Sequence, residues 1–272
     1  MPELPEVETV RLMLEPAMLG SRFRRVIVNR PNLRIPFPDR FADRLRGQTV
    51  VSVARRGKYL IVELSSGESL IMHLGMSGWF YVGAIGDRSR EADPHDHVVF
   101  MMSSGQAVLF NDPRRFGFMD LAAAGTLGEY PSLSAMGPEP LSAEFDGASL
   151  ARACKGKKVS LKVALLDQRI VGGLGNIYAS EALHHARLSP LKKASTIATA
   201  SGAPKAAAIQ LATSTKAVLT SAIKRRESPY RSARFRVYER AGERCLRTGC
   251  GGTIKRITQA ARSTFYCPTC QK

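Results

Sequence analysis

The chain opens with apolar residues at helical spacing. Across residues 5–18, Val7, Val10, Met13 and Leu14 share a face, Pro5 suits a first helical position, and Glu6 and Glu8 suit the positive end. The spacing predicts a helix that Pro16 ends or closes in its last turn. From about 22 to 120 the period shortens. RFRRVIVN, TVVSVARR, KYLIVEL, ESLIMHL, HVVFMM, QAVLFND and RFGFMDL read as strands, with hairpin connections at SSGE (65–68) and SSGQ (103–106). An all-β sandwich or barrel fronted by one helix follows. Residues 121–140 are loop-rich. Helical spacing returns at 142–154, 158–166, 176–186 and 202–225, and from about 236 the chain reads as a short cysteine-bearing β hairpin. The predicted fold class is α+β in two domains, an N-terminal β-sandwich domain over 1–122 and a helical domain over 141–235. A linker (123–140) joins them and a hairpin (236–272) follows.

The 272 residues are enough for two domains, and 44% hydrophobic with 23% charged residues is ordinary for a globular chain. No apolar run reaches the ~18 residues of a membrane span. The acidic start lacks the apolar core of a signal peptide. No membrane partner and a cytoplasmic location are therefore expected. Lys and Arg number 40 against 23 acids, a net charge of +17. Such an excess attracts polyanions and releases their counterions on contact. Nucleic acid is the expected partner, although charge does not say which kind.

Four of the five cysteines crowd the C-terminal end. Cys245 and Cys250 are separated by four residues, Cys267 and Cys270 by two. Two thiolate pairs on two turns can surround one Zn2+ tetrahedrally, and a segment this short would draw much of its folding energy from the metal. One structural zinc per chain is expected. Cys154, in an apolar helical stretch, reads as core.

The opening MPELPE is the second chemical signal. Removal of Met1 would leave Pro2 with a free secondary amine, whose pKa near ~8 against roughly 10 for lysine leaves a reactive fraction at neutral pH. Such an amine can attack a sugar C1′ and become an iminium, with Glu3 beside it to move protons. Taken alone, Pro2 is usually just a processing-tolerant residue, and Glu3 and Glu6 could equally be helix-start acids, so these residues by themselves favour the plain reading.

The blocks together decide between these. MPELPEVETV, GKYLIVEL, HLGMSG, NDPRRFG, GLGNIYASEAL and RSTFYCPTCQK, in this order across nearly the whole chain, resemble the formamidopyrimidine-DNA glycosylases. The PELPE start is similar to this branch rather than to the endonuclease VIII branch, which typically begins PEGPE. The resemblance implies a bifunctional enzyme that excises oxidised purines from damaged double-stranded DNA. It would hold the DNA in a cleft between sandwich and helical domain and cut the strand by β,δ-elimination. It implies Pro2 as nucleophile, Glu3 as acid/base, Glu6 close to that centre, and Lys58 holding a phosphate beside the lesion. A lysine point charge there would also lower the amine pKa of Pro2. Met76, Arg114 and Phe116 resemble the trio that fills the gap left by a flipped base. Arg115 and His95 would support phosphate contacts. Asn176 would start a helix whose N–H groups suit a phosphate, in a helix–two-turn–helix element with Lys162 and Asp167 on its first half. Arg262 would reach phosphates from the zinc hairpin. The family implies a monomer that consumes no cofactor and acts in a bacterial-type, nucleoid-associated setting.

Two features depart from the family pattern. The first cysteine pair has four intervening residues where two are usual, which predicts a wider turn around the same metal. The segment 224–240 reads as shortened and basic where the family carries a loop that closes over 8-oxoguanine, so weaker excision of that lesion is expected. The alternative reading is a non-catalytic zinc-ribbon protein that binds damaged DNA; it has no need of the paired Pro2 and Glu3.

Overall fold

The structure is a computed structural model describing residues 2–86, 91, 93–225 and 235–272. It forms two compact units. Pro2 and Glu6–Ser134 belong to the first, and Glu3–Pro5 with Ala135–Lys272 to the second.

Most of the helix α1 (Leu4–Met18) lies in the first unit, with Pro16 in its last turn. Two four-stranded antiparallel sheets follow. One has the order β1 (Phe23–Val28), β6 (Asp96–Met102), β7 (Gln106–Asn111), β5 (Trp79–Ala84). The other has β2 (Val50–Arg56), β3 (Tyr59–Leu64), β4 (Ser69–His73), β8 (Phe118–Ala122). Val7, Leu14 and Met18 of α1 share a core with Leu60, Val62, Leu70 and Met72 of one sheet and Phe100 and Phe110 of the other. This is the expected sandwich fronted by a helix. Several elements were not foreseen. A five-residue helix, α2 (Phe41–Leu45), buries both of its end residues. The run WFYVGA, flanked by Gly78 and interrupted by Gly83, becomes β5 because β7 pairs with all six of its residues, from Trp79 opposite Asn111 to Ala84 opposite Gln106. Its aromatic and β-branched residues favour a strand, and the pairing with β7 carries that strand through the weakening Gly83. A short α3 (Pro131–Ser134) closes the unit.

The second unit is helical. α4 (Gly147–Cys154) starts five residues later than its spacing predicts, because Asp146 and Ser149 form a reciprocal capping box. Ser160 caps α5 (Leu161–Leu166), and α6 (Asn176–His185) and α7 (Ala206–Arg225) follow. Leu4, Phe145, Leu165, Leu174, Leu183 and Leu211 belong to the core of these helices, together with a buried Cys154. Burial pushes the Cys154 thiol up to about 11, which keeps it an inert core residue. β9 (Lys255–Gln259) and β10 (Arg262–Tyr266) form the terminal hairpin. Its two-residue turn places Ala260 and Ala261 at φ 45° and 59°, the left-handed pair that matches strand twist. Glu181 of α6 accepts the backbone N–H groups of Arg236 and Val237 at 2.8 Å and of Tyr238 at 3.0 Å, fastening the hairpin's approach to the helix.

Candidate functional site

Glu3 is only 2% exposed. Its carboxylate accepts the N–H groups of Gly175 (2.9 Å), Ile177 (2.9 Å) and Tyr178 (3.2 Å) at the start of α6. A helix start offers N–H groups without intrahelical partners and a positive dipole end, and a carboxylate satisfies both. The Leu4 N–H donates to Gly173 O at 3.1 Å, holding the same stretch from its other side. Gly175 is required by space: a Cβ there would lie 2.3 Å from Glu3 Cδ. This revises one sequence argument, because the α6 amides expected to suit a phosphate are occupied by Glu3. Pro2, next along the chain, is buried, and Glu6 is half-buried in the first turn of α1.

Lys58 follows Gly57, whose φ of 56° turns the chain between β2 and β3. The lysine is buried rather than an exposed strand start. Arg55 donates from Nε to Glu8 Oε2 at 2.8 Å and from Nη1 to Gly57 O at 2.9 Å, tying α1 to this hairpin. The sequence reading passed over His73. Its ring stacks on Phe118 (centroids 5.5 Å apart), and its Nδ1 accepts the Gly75 N–H at 3.0 Å. Burial, then Lys58 and Arg34, push its pKa down to about 4. The ring is therefore neutral at pH 7 and carries its proton on Nε2. His73 faces Tyr59 across β3 and β4, one residue from Lys58, so strand register was the signal that could have found it.

Met76 and Phe116 are 40% and 42% exposed and so stand outside the sandwich core. The Arg114 guanidinium lies 4.7 Å from the Phe116 ring centre. Arg115 adopts φ 55° and His95 is half-buried. In the second unit, the Nζ of fully buried Lys162 donates to Asn176 Oδ1 (2.5 Å), Ser263 O (2.9 Å) and Thr264 Oγ1 (2.7 Å). Asn176 Nδ2 also reaches Ser263 O at 2.9 Å. Lys162 thus joins the start of α6 to β10, beside exposed Arg262. Asp167 instead binds Arg169 at 2.8 Å on the surface.

The Sγ atoms of Cys245, Cys250, Cys267 and Cys270 all lie within 4.8 Å of one another. Cys245–Cys270 and Cys250–Cys267 are 3.9 and 3.5 Å apart. Zn–S bonds of about 2.3 Å in a tetrahedron put sulfurs about 3.8 Å apart, so the four residues fit one zinc despite the wider first turn. Gly249 and Gly251, at φ 74° and 63°, supply that turn.

An N-terminal helix on a β-sandwich, a helical unit gripping the carboxylate of residue 3, and a four-thiolate hairpin define a zinc-hairpin, helix–two-turn–helix nucleic-acid enzyme. Three family models match: the formamidopyrimidine-DNA glycosylase N-terminal domain over residues 1–119, the formamidopyrimidine-DNA glycosylase H2TH domain over 136–233, and the zinc finger found in FPG and IleRS over 242–272. A formamidopyrimidine-DNA glycosylase of Rhodopseudomonas palustris (strain HaA2) is 54% identical, and one of Bradyrhizobium diazoefficiens 51%, each alignment covering 100% of both chains. Among solved structures, the Lactococcus lactis enzyme non-covalently bound to DNA containing an AP site is 32% identical, with a TM-score of 0.86 over 99% of both chains. MutM in complex with DNA containing carbocyclic 8-oxo-G is 32% identical, with a TM-score of 0.87 over 100% of both. The chain belongs to the formamidopyrimidine-DNA glycosylase family.

Proposed function

We propose that this protein is a base-excision repair enzyme, a DNA glycosylase and abasic-site lyase acting on oxidised purines in duplex DNA. The Pro2 nitrogen forms a bond to C1′ as the bond to the damaged base breaks. The sugar ring opens, the nitrogen lone pair completes an iminium, and Glu3 moves the protons. Successive eliminations then break the strand on both sides. Lys58, with neutral His73 close by, holds a backbone phosphate and favours the unprotonated amine of Pro2, while Glu6 supports the same centre. Met76, Arg114 and Phe116 fill the gap left by the extruded base, and His95, Arg115, Asn176 and Arg262 contact the DNA backbone. Zinc holds the hairpin that presents Arg262.

The seat of Glu3 carries the reading. A carboxylate at position 3, buried and gripped by three backbone N–H groups, is held beside the residue whose amine would react. A binding-only protein has no use for that arrangement. Borohydride trapping on an abasic-site duplex tests it: a covalent adduct lost in Pro2→Gly is expected, and an enzyme that cleaves without forming any adduct would refute it. The protein is proposed to act as a monomer in the cytoplasm, on the nucleoid.

A lesion preference belongs to the same reading. Most of the 224–240 stretch, residues 226–234, lies outside the described residues. Ring-opened formamidopyrimidines and further-oxidised guanines are proposed to be excised faster than 8-oxoguanine, and equal rates across a lesion panel would reject this.

A further inference from the structure

Three of the loops of the first unit assigned to DNA, those bearing Met76, His95 and Arg114–Phe116, meet at one buried residue that has no part in the chemistry above. Asp112 follows β7 and is fully buried. Its Oδ1 accepts the Ser77 hydroxyl at 2.5 Å, and its Oδ2 accepts the Gly117 N–H at 2.8 Å. Its own N–H donates to His95 O at 3.1 Å, and its carbonyl accepts the Arg115 N–H at 3.1 Å. The same carbonyl meets Nε2 of buried His97 at 2.9 Å. The Ser77 oxygen in turn accepts the Arg114 N–H at 3.3 Å. Ser77 adjoins Met76, and Gly117 adjoins Phe116, so each bond lands beside a residue assigned to the DNA.

The neighbourhood shows why a carboxylate is needed. Arg115 holds φ 55°, a left-handed conformation that side-chain-bearing residues rarely adopt. The turn therefore needs strong local bonds to persist. Asp112 supplies them twice, its carbonyl accepting the Arg115 N–H and its side chain accepting the Gly117 N–H, while the second carboxyl oxygen remains for Ser77. The two loops are also pressed backbone to backbone. A Cβ on Gly75 would lie 2.3 Å from Gly117 N, and one on Gly117 would lie 2.7 Å from His73 O. The Asp112 and Ser77 bonds tie the two loops to each other at this close approach.

We propose that Asp112 and Ser77 form a positioning pair that holds Met76 and the Arg114–Phe116 stack in their inserting arrangement before DNA arrives. A wedge ordered in advance spares the ordering cost at the moment of base extrusion. The inference rests on the assignment of Met76, Arg114 and Phe116 to the vacated base position. It places Asp112 on the flipping step and not on the reaction at C1′.

The test compares two rates in each variant: excision of a formamidopyrimidine opposite cytosine in a duplex, and cleavage of a preformed abasic site in a single strand, which has no base to flip. In Ser77→Ala and in Asp112→Asn the ratio of the first rate to the second is expected to fall roughly tenfold, the loss of one buried hydrogen bond. The double variant is expected to fall little further, because both changes open one latch. Met76→Ala and Arg114→Ala are measured alongside. If these keep the parent ratio, the assignment of the loops fails and the latch with it. If they lose it while Ser77→Ala and Asp112→Asn stay within twofold, the loop assignment stands and the latch is overturned. Equal loss of both rates in Ser77→Ala would also overturn it, as the mark of a merely structural residue. Should Asp112→Asn not fold, Ser77→Ala decides the matter alone.

Discussion

Gly175→Ala isolates the seat of Glu3 better than a change at Glu3 itself, because it leaves the carboxyl chemistry untouched. Gly175 has φ −132° and ψ −158°, an extended conformation open to alanine, so no backbone strain is introduced. The added Cβ would fall 2.3 Å from Glu3 Cδ and 2.4 Å from Oε1, where ordinary contact begins at 3.4 Å. The carboxylate must therefore retreat by about 1 Å, and a displacement of that size in a reacting group costs on the order of 100-fold in rate. The corresponding rise in barrier is about 2.7 kcal/mol. Single-turnover excision of a formamidopyrimidine from an end-labelled duplex measures it, with melting temperature and zinc content as controls. A fall of roughly two orders of magnitude in the folded, zinc-replete variant is expected. A rate within threefold of the parent would refute the claim that the α6 amides position Glu3 for chemistry.

Three further outcomes follow from buried polar groups. Chelation should remove one zinc per chain, by metal analysis, and weaken DNA binding by fluorescence anisotropy, because the hairpin core is little more than Val237, Ile254, Phe265 and the cysteines. Burial, then Arg262, lowers Lys162 to about 8, against an ordinary 10.5, while Glu3 raises it. Between those pH values the folded protein binds fewer protons than the unfolded chain, so this group makes stability rise with pH across the window. Urea midpoints should accordingly climb more steeply from pH 8 to 10 in the parent than in Lys162→Met, and parallel curves would count against it. Glu181→Ala strands the buried N–H of Val237 and the part-buried N–H groups of Arg236 and Tyr238, and should cost about 2–4 kcal/mol in urea unfolding, since a buried orphaned donor carries about 1–3 kcal/mol and the part-buried ones less. A loss under about 1 kcal/mol would contradict that.

Local chemistry was enough to read much of this protein. Helical spacing, alternating strands and glycine turns marked α1, α6 and most of the sandwich, because periodicity depends only on nearby residues. The cysteine spacing announced the metal for the same reason: ligand pairs on tight turns are local objects. The family blocks located Pro2, Glu3 and the loop residues. The partners of the buried polar groups were decided by tertiary structure alone. Glu3 meets Gly175 across 172 positions, and Lys162 meets Thr264 across 102. Lys58 is buried because the hairpin is packed, and Asp112 gains its role because other loops converge on it. A desolvated charge takes whatever donor the folded chain brings within about 3 Å, and sequence distance carries no record of that choice.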